Sequence, residues 1–217
     1  MEKKLRVCLK EPIPEIYEAA KYLSDAVDAY IAGDIGQSEE LIRLADMPVI
    51  REWSDSIWGS GGVYTKLLQV HGEAVTIPKE DRHSVRMPDK QGKKALLDRD
   101  GHYCKFCGIP VIRMEIRQTI KKFCPGVLQW GRKEVDQHAA FQAMWVQYDH
   151  VIPHARGGLT NLENMVITCA PCNYGRMNYL IEEVGLAYPN SRGDTNFLWD
   201  GLERILLHKT RGGLSMS

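Results

Sequence analysis

The chain has 217 residues, of which 44% are hydrophobic and 26% charged, and its formal net charge is zero at pH 7. This composition is ordinary for a globular protein and excludes a disordered or low-complexity chain. No apolar run approaches the roughly 18 residues of a membrane span, and the charged start of the chain is unlike a secretory signal, so we expect a cytoplasmic protein without membrane contact.

Three helical patterns occupy the first quarter of the chain. Apolar residues recur at three- and four-residue steps and predict a helix from Pro14 to Gly33. A second helix is predicted to begin with Ser38 as N-cap, and a third opens at Pro48. The glycines at 59–62 lack the Gly-Lys-Ser/Thr ending of a phosphate-binding loop, so they predict a flexible turn.

The zero net charge conceals a segregation along the chain. Residues 1–78 carry net −5, residues 79–133 net +8 and residues 134–217 net −3. A basic block of this density suits a polyanion such as DNA, although a solvated lysine-rich surface gives the same count. The acidic unit could lie over the basic block and compete with DNA. It could instead dock on the rest of the chain to complete its core, or recruit a partner protein.

The middle and the end of the chain carry further helical patterns. The stretch from Pro78 to Lys94 is polar and basic, which predicts a connector or an arm lying on DNA. Within residues 111–147 one helical pattern ends at Phe123 and another covers 134–147, with a Cys-Pro-Gly turn between them. Phe197, Leu202 and Ile205 suggest a last helix that packs on the body.

Four of the six cysteines form two Cys-x-x-Cys pairs, Cys104/Cys107 and Cys169/Cys172. In a reducing compartment this pattern indicates a metal site before it indicates disulfides. Each pair delivers two thiolates from one tight turn, and four thiolates fill the tetrahedral shell of zinc, with no place left for water. We therefore predict a structural Zn²⁺ that joins two distant segments. Two pairs of buried or redox-active thiols are the alternative.

Between the two pairs lies a run of polar residues whose side chains can bind metal or transfer protons. Tyr148–Ile152 and Met165–Thr168 are predicted as short strands joined by a loop that contains Gly157-Gly158, and a helix is predicted from near Asn173. Two strands and a helix would bring Asp149, His150 and Asn173 to one place.

These residues resemble a known motif. Asp-His-Val-Ile-Pro, then Gly-Gly, then Asn164 with Val-Ile-Thr, then Cys-x-x-Cys-Asn is similar to the HNH nuclease motif, also called the ββα-metal fold. The stretch from Arg99 to Cys104 is similar to the zinc-bearing branch of that family. The resemblance covers residues 95–185. The residues that name the family fall on His150, Asn164 and Asn173, the last being Asn where the name has His.

Each motif position has a chemical task. A neutral His150 can take a proton from water, and Asp149 with the Asn173 side-chain oxygen are hard ligands for Mg²⁺ or Mn²⁺. The resemblance implies that Asn164 braces the loop and orients His150. Two arginines, Arg156 and Arg176, are predicted to hold DNA phosphates. His154 either helps to bind metal or phosphate or only fills the loop.

The predicted architecture is α+β and mainly helical. It comprises a helical N-terminal unit (1–78), a basic connector (79–94) and a zinc-braced HNH nuclease domain (95–217) with a helical insert at 111–147. The resemblance implies hydrolysis of DNA phosphodiesters, with nicking expected, in a mobile element or an anti-phage system. The competing interpretation is a zinc-stabilised nucleic-acid- or protein-binding module without turnover, which would not need the Asp149, His150 and Asn173 set. The remaining histidines and cysteines are predicted to be structural or solvated: His71, His83, His102, His138, His208, Cys8 and Cys124.

Overall fold

A computed structural model describes residues 5–58, 74–189 and 198–212 of the chain, with side chains to residue 208 in the last range. The predictions made for the glycines at 59–62, His71 and Phe197 lie outside these residues. The described elements, in chain order, are α1 (Pro14–Ile31), α2 (Ile35–Leu44), α3 (Pro48–Asp55), α4 (Lys90–Asp100), α5 (Met114–Phe123), α6 (Ala139–Ala143), β1 (Val146–His150), β2 (Met165–Cys169), α7 (Ala170–Arg176) and α8 (Arg204–Gly212). The chain is therefore mainly helical with a small antiparallel sheet, as predicted. Among the described helices, none is both long and apolar enough to cross a membrane.

Two of the three N-terminal helices begin where the sequence predicts. Pro14 and Pro48 open α1 and α3, since a helix can place proline in its first turn without losing a hydrogen bond. The predicted start of α2 was wrong. Asp34 is the N-cap and accepts a hydrogen bond from Gln37 N at 3.0 Å, whereas Ser38 lies inside the helix with 2% of its surface exposed.

The N-terminal helices pack on the rest of the chain. One buried apolar cluster runs from α1, α2 and α3 through to the cysteine-bearing half of the molecule. Arg51 of α3 donates to Glu134 O at 2.5 Å, and the buried His138 Nε2 lies 2.9 Å from Ile42 O of α2. These contacts join the N-terminal helices to α6 and to the residues just before it. They favour the interpretation in which the acidic unit docks on the rest of the chain over the one in which it covers the basic connector.

The predicted boundary between connector and nuclease domain, after residue 94, falls inside α4. Asp89 caps this helix by accepting from Gly92 N at 2.7 Å, and Gly101 ends it with φ 68°. The preceding residues 77–87, hereafter the strap, run across the loop that follows β1. Ile77 N donates to Ala155 O at 2.9 Å at the start of this contact. The basic connector is therefore half strap and half helix.

The predicted helix over 134–147 is shorter than expected. Residues Glu134–Asp136 form one 3-10 turn, α6 spans only Ala139–Ala143, and β1 begins at Val146. Ile112 explains the early end, because its main chain accepts from Val146 N at 3.0 Å and donates to Met144 O at 2.7 Å. Strand-type pairing therefore replaces the last helical turn.

The hairpin of β1 and β2 forms the floor of the site. The strands are antiparallel, with His150 opposite Met165 and Val146 opposite Cys169. The first strand thus starts two residues earlier than the predicted Tyr148–Ile152. Buried Asp100 at the end of α4 anchors the hairpin by accepting from Ile167 N at 2.9 Å. The hairpin leads directly into α7, which packs against both strands.

Candidate active site and metal centre

The four predicted cysteines come together in one buried cluster. The ligand atoms of Cys104, Cys107, Cys169 and Cys172 all lie within 4.8 Å of one another, and Cys107 Sγ is 3.6 Å from Cys169 Sγ. A tetrahedral zinc site with Zn–S bonds of about 2.3 Å has sulfur–sulfur edges of about 3.8 Å. The four cysteines are therefore positioned for a metal ion, and their spacing suits zinc.

Each Cys-x-x-Cys turn is shaped for this purpose. The main-chain N of Cys107 points at Cys104 Sγ, and that of Cys172 at Cys169 Sγ, both at 3.5 Å. Gly108, with φ 76°, closes the first turn, which a residue with a side chain would strain. The second turn is the start of α7. The cysteine cluster therefore joins the segment after α4 to the end of the hairpin.

Asp149 is buried, and it is held by an arginine from α7. Its Oδ2 accepts from Arg176 Nη2 at 2.7 Å, and the two side chains are 9% and 0% exposed. Burial raises the pKa of the Asp149 carboxyl, and the Arg176 guanidinium opposes that effect. The pairing favours the ionised form of Asp149 and fixes its side chain near the end of β1.

The predicted role of Arg176, a contact with DNA phosphates, is corrected by its position in the structure. Besides Asp149, its guanidinium donates to three main-chain carbonyls, those of His150 at 2.5 Å, Tyr179 at 2.8 Å and Val151 at 3.3 Å. A side chain with no exposed surface cannot contact a phosphate on DNA. Sequence alone shows the charge of Arg176 and not its burial.

His150 projects from the other face of β1, since consecutive strand residues alternate. Its Nε2 lies 2.9 Å from Thr160 Oγ1, and Thr160 Oγ1 donates to Val85 O of the strap at 2.7 Å. Burial, the neighbouring His154, and Arg176 and Arg86 lower the pKa of His150 to about 4. The imidazole is therefore neutral near pH 7, as a proton acceptor must be.

Asn173 lies on the Asp149 face of the hairpin. Its Nδ2 donates to Gln147 Oε1 at 3.4 Å, and Gln147 shares a face of β1 with Asp149. Asn173 and Arg176 are one helical turn apart, so α7 presents both to the same strand face. One carboxylate and one amide oxygen are a donor set that suits a hard divalent cation, which completes its shell with water.

Asn164 holds the loop between the strands. Its Oδ1 accepts from Ile152 N at 2.8 Å, and its Nδ2 donates to Leu159 O at 2.9 Å and Ile152 O at 3.1 Å. Gly158 is needed here, because a Cβ atom would lie 1.8 Å from Ile152 O. These contacts fix the loop that carries Thr160, so the effect of Asn164 on His150 is indirect.

The two remaining predicted contacts with DNA are engaged with protein groups. Arg156 makes a two-pronged ion pair with Glu183, at 2.8 and 3.3 Å. His154 Nε2 lies 2.9 Å from His83 O of the strap, and its ring centroid is 5.6 Å from that of His150. Glu183 neutralises Arg156, and the strap contacts His154.

The comparisons with known proteins bear on this same region. Residues 134–178 match the family model described as HNH endonuclease. This segment of the chain is therefore similar to an HNH endonuclease domain. No curated protein and no solved structure matches the chain. The match includes β1, β2 and α7, and with them His150, Asn164, Asn173 and the second cysteine pair.

Several residues around the candidate site were not identified from the sequence. Thr160, Gln147 and Glu183 are hydrogen-bond partners of His150, Asn173 and Arg156, and the Val85 carbonyl accepts from Thr160. None carries a signal of its own in the sequence, because Val85 acts through its main chain and the others are common polar residues. Only the basic composition of the stretch from Pro78 to Lys94 pointed to this part of the chain.

Proposed function

We propose that this protein is a metal-dependent endonuclease that hydrolyses phosphodiester bonds of DNA. The observation that carries the proposal is a histidine hydrogen-bonded to Thr160 and, at the preceding residue, a buried carboxylate paired with Arg176, both inside the segment that matches the HNH family. His150 and Asp149 leave opposite faces of one strand end, and α7 holds Asn173 on the Asp149 side. A binding module has no need of such a proton acceptor.

In this proposal His150 accepts a proton from the water that attacks the phosphorus. A bond forms between that water oxygen and phosphorus, and the bond to the 3′-oxygen breaks. The 3′-oxygen takes a proton from solvent and His150 returns its proton to solvent, which leaves a 5′-phosphate and a 3′-hydroxyl. Asp149 and Asn173 would hold Mg²⁺ or Mn²⁺, which supplies charge neutralisation at the phosphate and the leaving oxygen. Arg176 favours the ionised form of Asp149 and holds the side chain in place. The four cysteines would hold a structural Zn²⁺.

The proposed surface for DNA lies along α4 and β1. A cleft of about 900 Å³ opens there, lined among others by Lys90, Lys93 and Tyr148. Lys93 Nζ is 5.4 Å from the centre of the Tyr148 ring. Within the described residues, Lys90 and Lys93 make no ion pair, whereas Lys94 is paired with Asp98. Unpaired lysines beside the catalytic strand suit a phosphate backbone.

The test is cleavage of supercoiled plasmid by the zinc-loaded chain with Mg²⁺, Mn²⁺ or EDTA. One catalytic centre cuts one strand per event, so open circles should precede linear DNA, and EDTA should stop the reaction. Binding to DNA without cleavage under either metal ion would favour the alternative, a zinc-stabilised binding module. Linear product that appears first at low protein concentration would show a dimer or a second site.

A further inference from the structure

A chain of two hydrogen bonds links His150 to the strap. Val85 O is a main-chain carbonyl and can only accept, so the hydroxyl hydrogen of Thr160 is directed at it, at 2.7 Å. Thr160 Oγ1 also lies 2.9 Å from His150 Nε2. A hydroxyl has one hydrogen, and Val85 O already takes it.

The direction of the second hydrogen bond follows from this count. Thr160 has only lone pairs left for His150, so His150 Nε2 must carry a hydrogen and donate it. In the neutral ring, the lone pair then lies on Nδ1. His154 repeats the arrangement, because its Nε2 is 2.9 Å from another carbonyl of the strap, His83 O. The strap therefore sets the tautomers of two neighbouring imidazoles.

We propose that Thr160, oriented by the Val85 carbonyl, is the positioning residue that holds His150 as the Nε2–H tautomer, with Nδ1 as the atom that accepts the proton from water. The inference rests on the proposed nuclease function and names the atom that does its chemistry. It also makes the strap part of the active site. Asn164 and Gly158 contribute by fixing the loop from which Thr160 projects.

Thr160→Val tests the proposal with little change in shape, because it removes the hydroxyl and keeps the branched side chain. We expect kcat for plasmid nicking to fall about tenfold to hundredfold, the range seen when hydrogen-bond partners that orient metal-bound histidines are removed. KM and the Kd for DNA should stay within about twofold. Thr160→Ser keeps the hydroxyl and should restore most of kcat. The matched control is Thr168→Val in β2, where a buried hydroxyl has no hydrogen-bond partner among the described residues.

A spectroscopic measurement makes the assignment independent of activity. Two-dimensional ¹H–¹⁵N NMR of the imidazole nitrogens separates the two neutral tautomers, and the His150→Gln spectrum assigns the signals of His150. We expect the Nε2–H form in the full-length wild-type chain and a mixture of tautomers in Thr160→Val. A wild-type Nδ1–H form, or an unchanged tautomer and kcat in Thr160→Val, would overturn the proposal. If the wild-type chain cuts no DNA, the nuclease function fails, while the NMR result still decides the tautomer.

Discussion

Replacing Arg176 by methionine should destabilise the protein strongly. The substitution leaves Asp149, whose side chain is 9% exposed, without its only ionic partner among the described residues. Breaking a buried ion pair by removing one member costs about 3–5 kcal/mol, because the remaining charge stays desolvated. Three main-chain carbonyls also lose a donor. Since domains are stable by only about 5–15 kcal/mol, Arg176→Met should lose a large part of the folding free energy.

The assay is urea unfolding of the zinc-loaded protein, followed by tryptophan fluorescence. Arg43→Met is the matched control, because Arg43 lies on the surface of α2 with 54% of its side chain exposed. This variant should lose less than about 1 kcal/mol of unfolding free energy. The double variant Arg176→Met with Asp149→Leu should regain stability over Arg176→Met alone, since no buried charge is left unpaired.

The reasoning would be refuted by an Arg176→Met protein within about 1 kcal/mol of wild type. If that variant also bound DNA more weakly, with a shallower salt dependence, Arg176 would be the phosphate contact that its sequence position suggests. The two outcomes are distinct, because a buried arginine affects unfolding and an exposed one affects the affinity for DNA.

Three further predictions concern the metal centre, the DNA surface and the interface of the N-terminal helices. Cys172→Ser should lower the zinc content below about one per chain and lower Tm, measured by elemental analysis and thermal unfolding, because metal binding is coupled to folding; full zinc content with unchanged Tm would contradict it. Lys93→Ala should weaken DNA binding and reduce the salt slope by about 1, whereas Lys21→Ala on α1 should not. Burial lowers the pKa of His138, so as pH falls below about 6.5 the unfolded chain takes up a proton that the folded chain does not. Stability should therefore fall between pH 7.5 and 5.5, and less so in His138→Gln, as Tm against pH would show.

The metal centre and the elements around it could be predicted from sequence because their signals are local. Two Cys-x-x-Cys pairs each define a turn by themselves, and all four cysteines meet as expected. The prolines at 14 and 48 mark helix starts for the same reason. The end of the helix before β1 was predicted wrongly because the main chain of Ile112, distant in sequence, forms hydrogen bonds with Met144 and Val146.

The geometry around His150 could not be predicted, since it depends on contacts distant in sequence. Val85 reaches Thr160 across 75 positions, through a main-chain carbonyl that no residue type reveals. Arg176 carries the same charge whether it meets DNA or a buried carboxylate, and only the packing of α7 on the hairpin distinguishes these cases. The stretch from Pro78 to Lys94 was interpreted as a connector or an arm on DNA, whereas the main chain of the strap contacts His154 directly and His150 through Thr160.

The most direct test of the account is plasmid cleavage by His150→Ala beside wild type, at equal zinc content and with Mg²⁺ or Mn²⁺ present. His150 is the proposed proton acceptor, and its side chain bonds only to Thr160 among the described residues. Loss of that group should lower kcat at least about a hundredfold, with Tm, zinc content and DNA affinity nearly unchanged. Cleavage by His150→Ala within tenfold of wild type would contradict the central claim that His150 activates the attacking water.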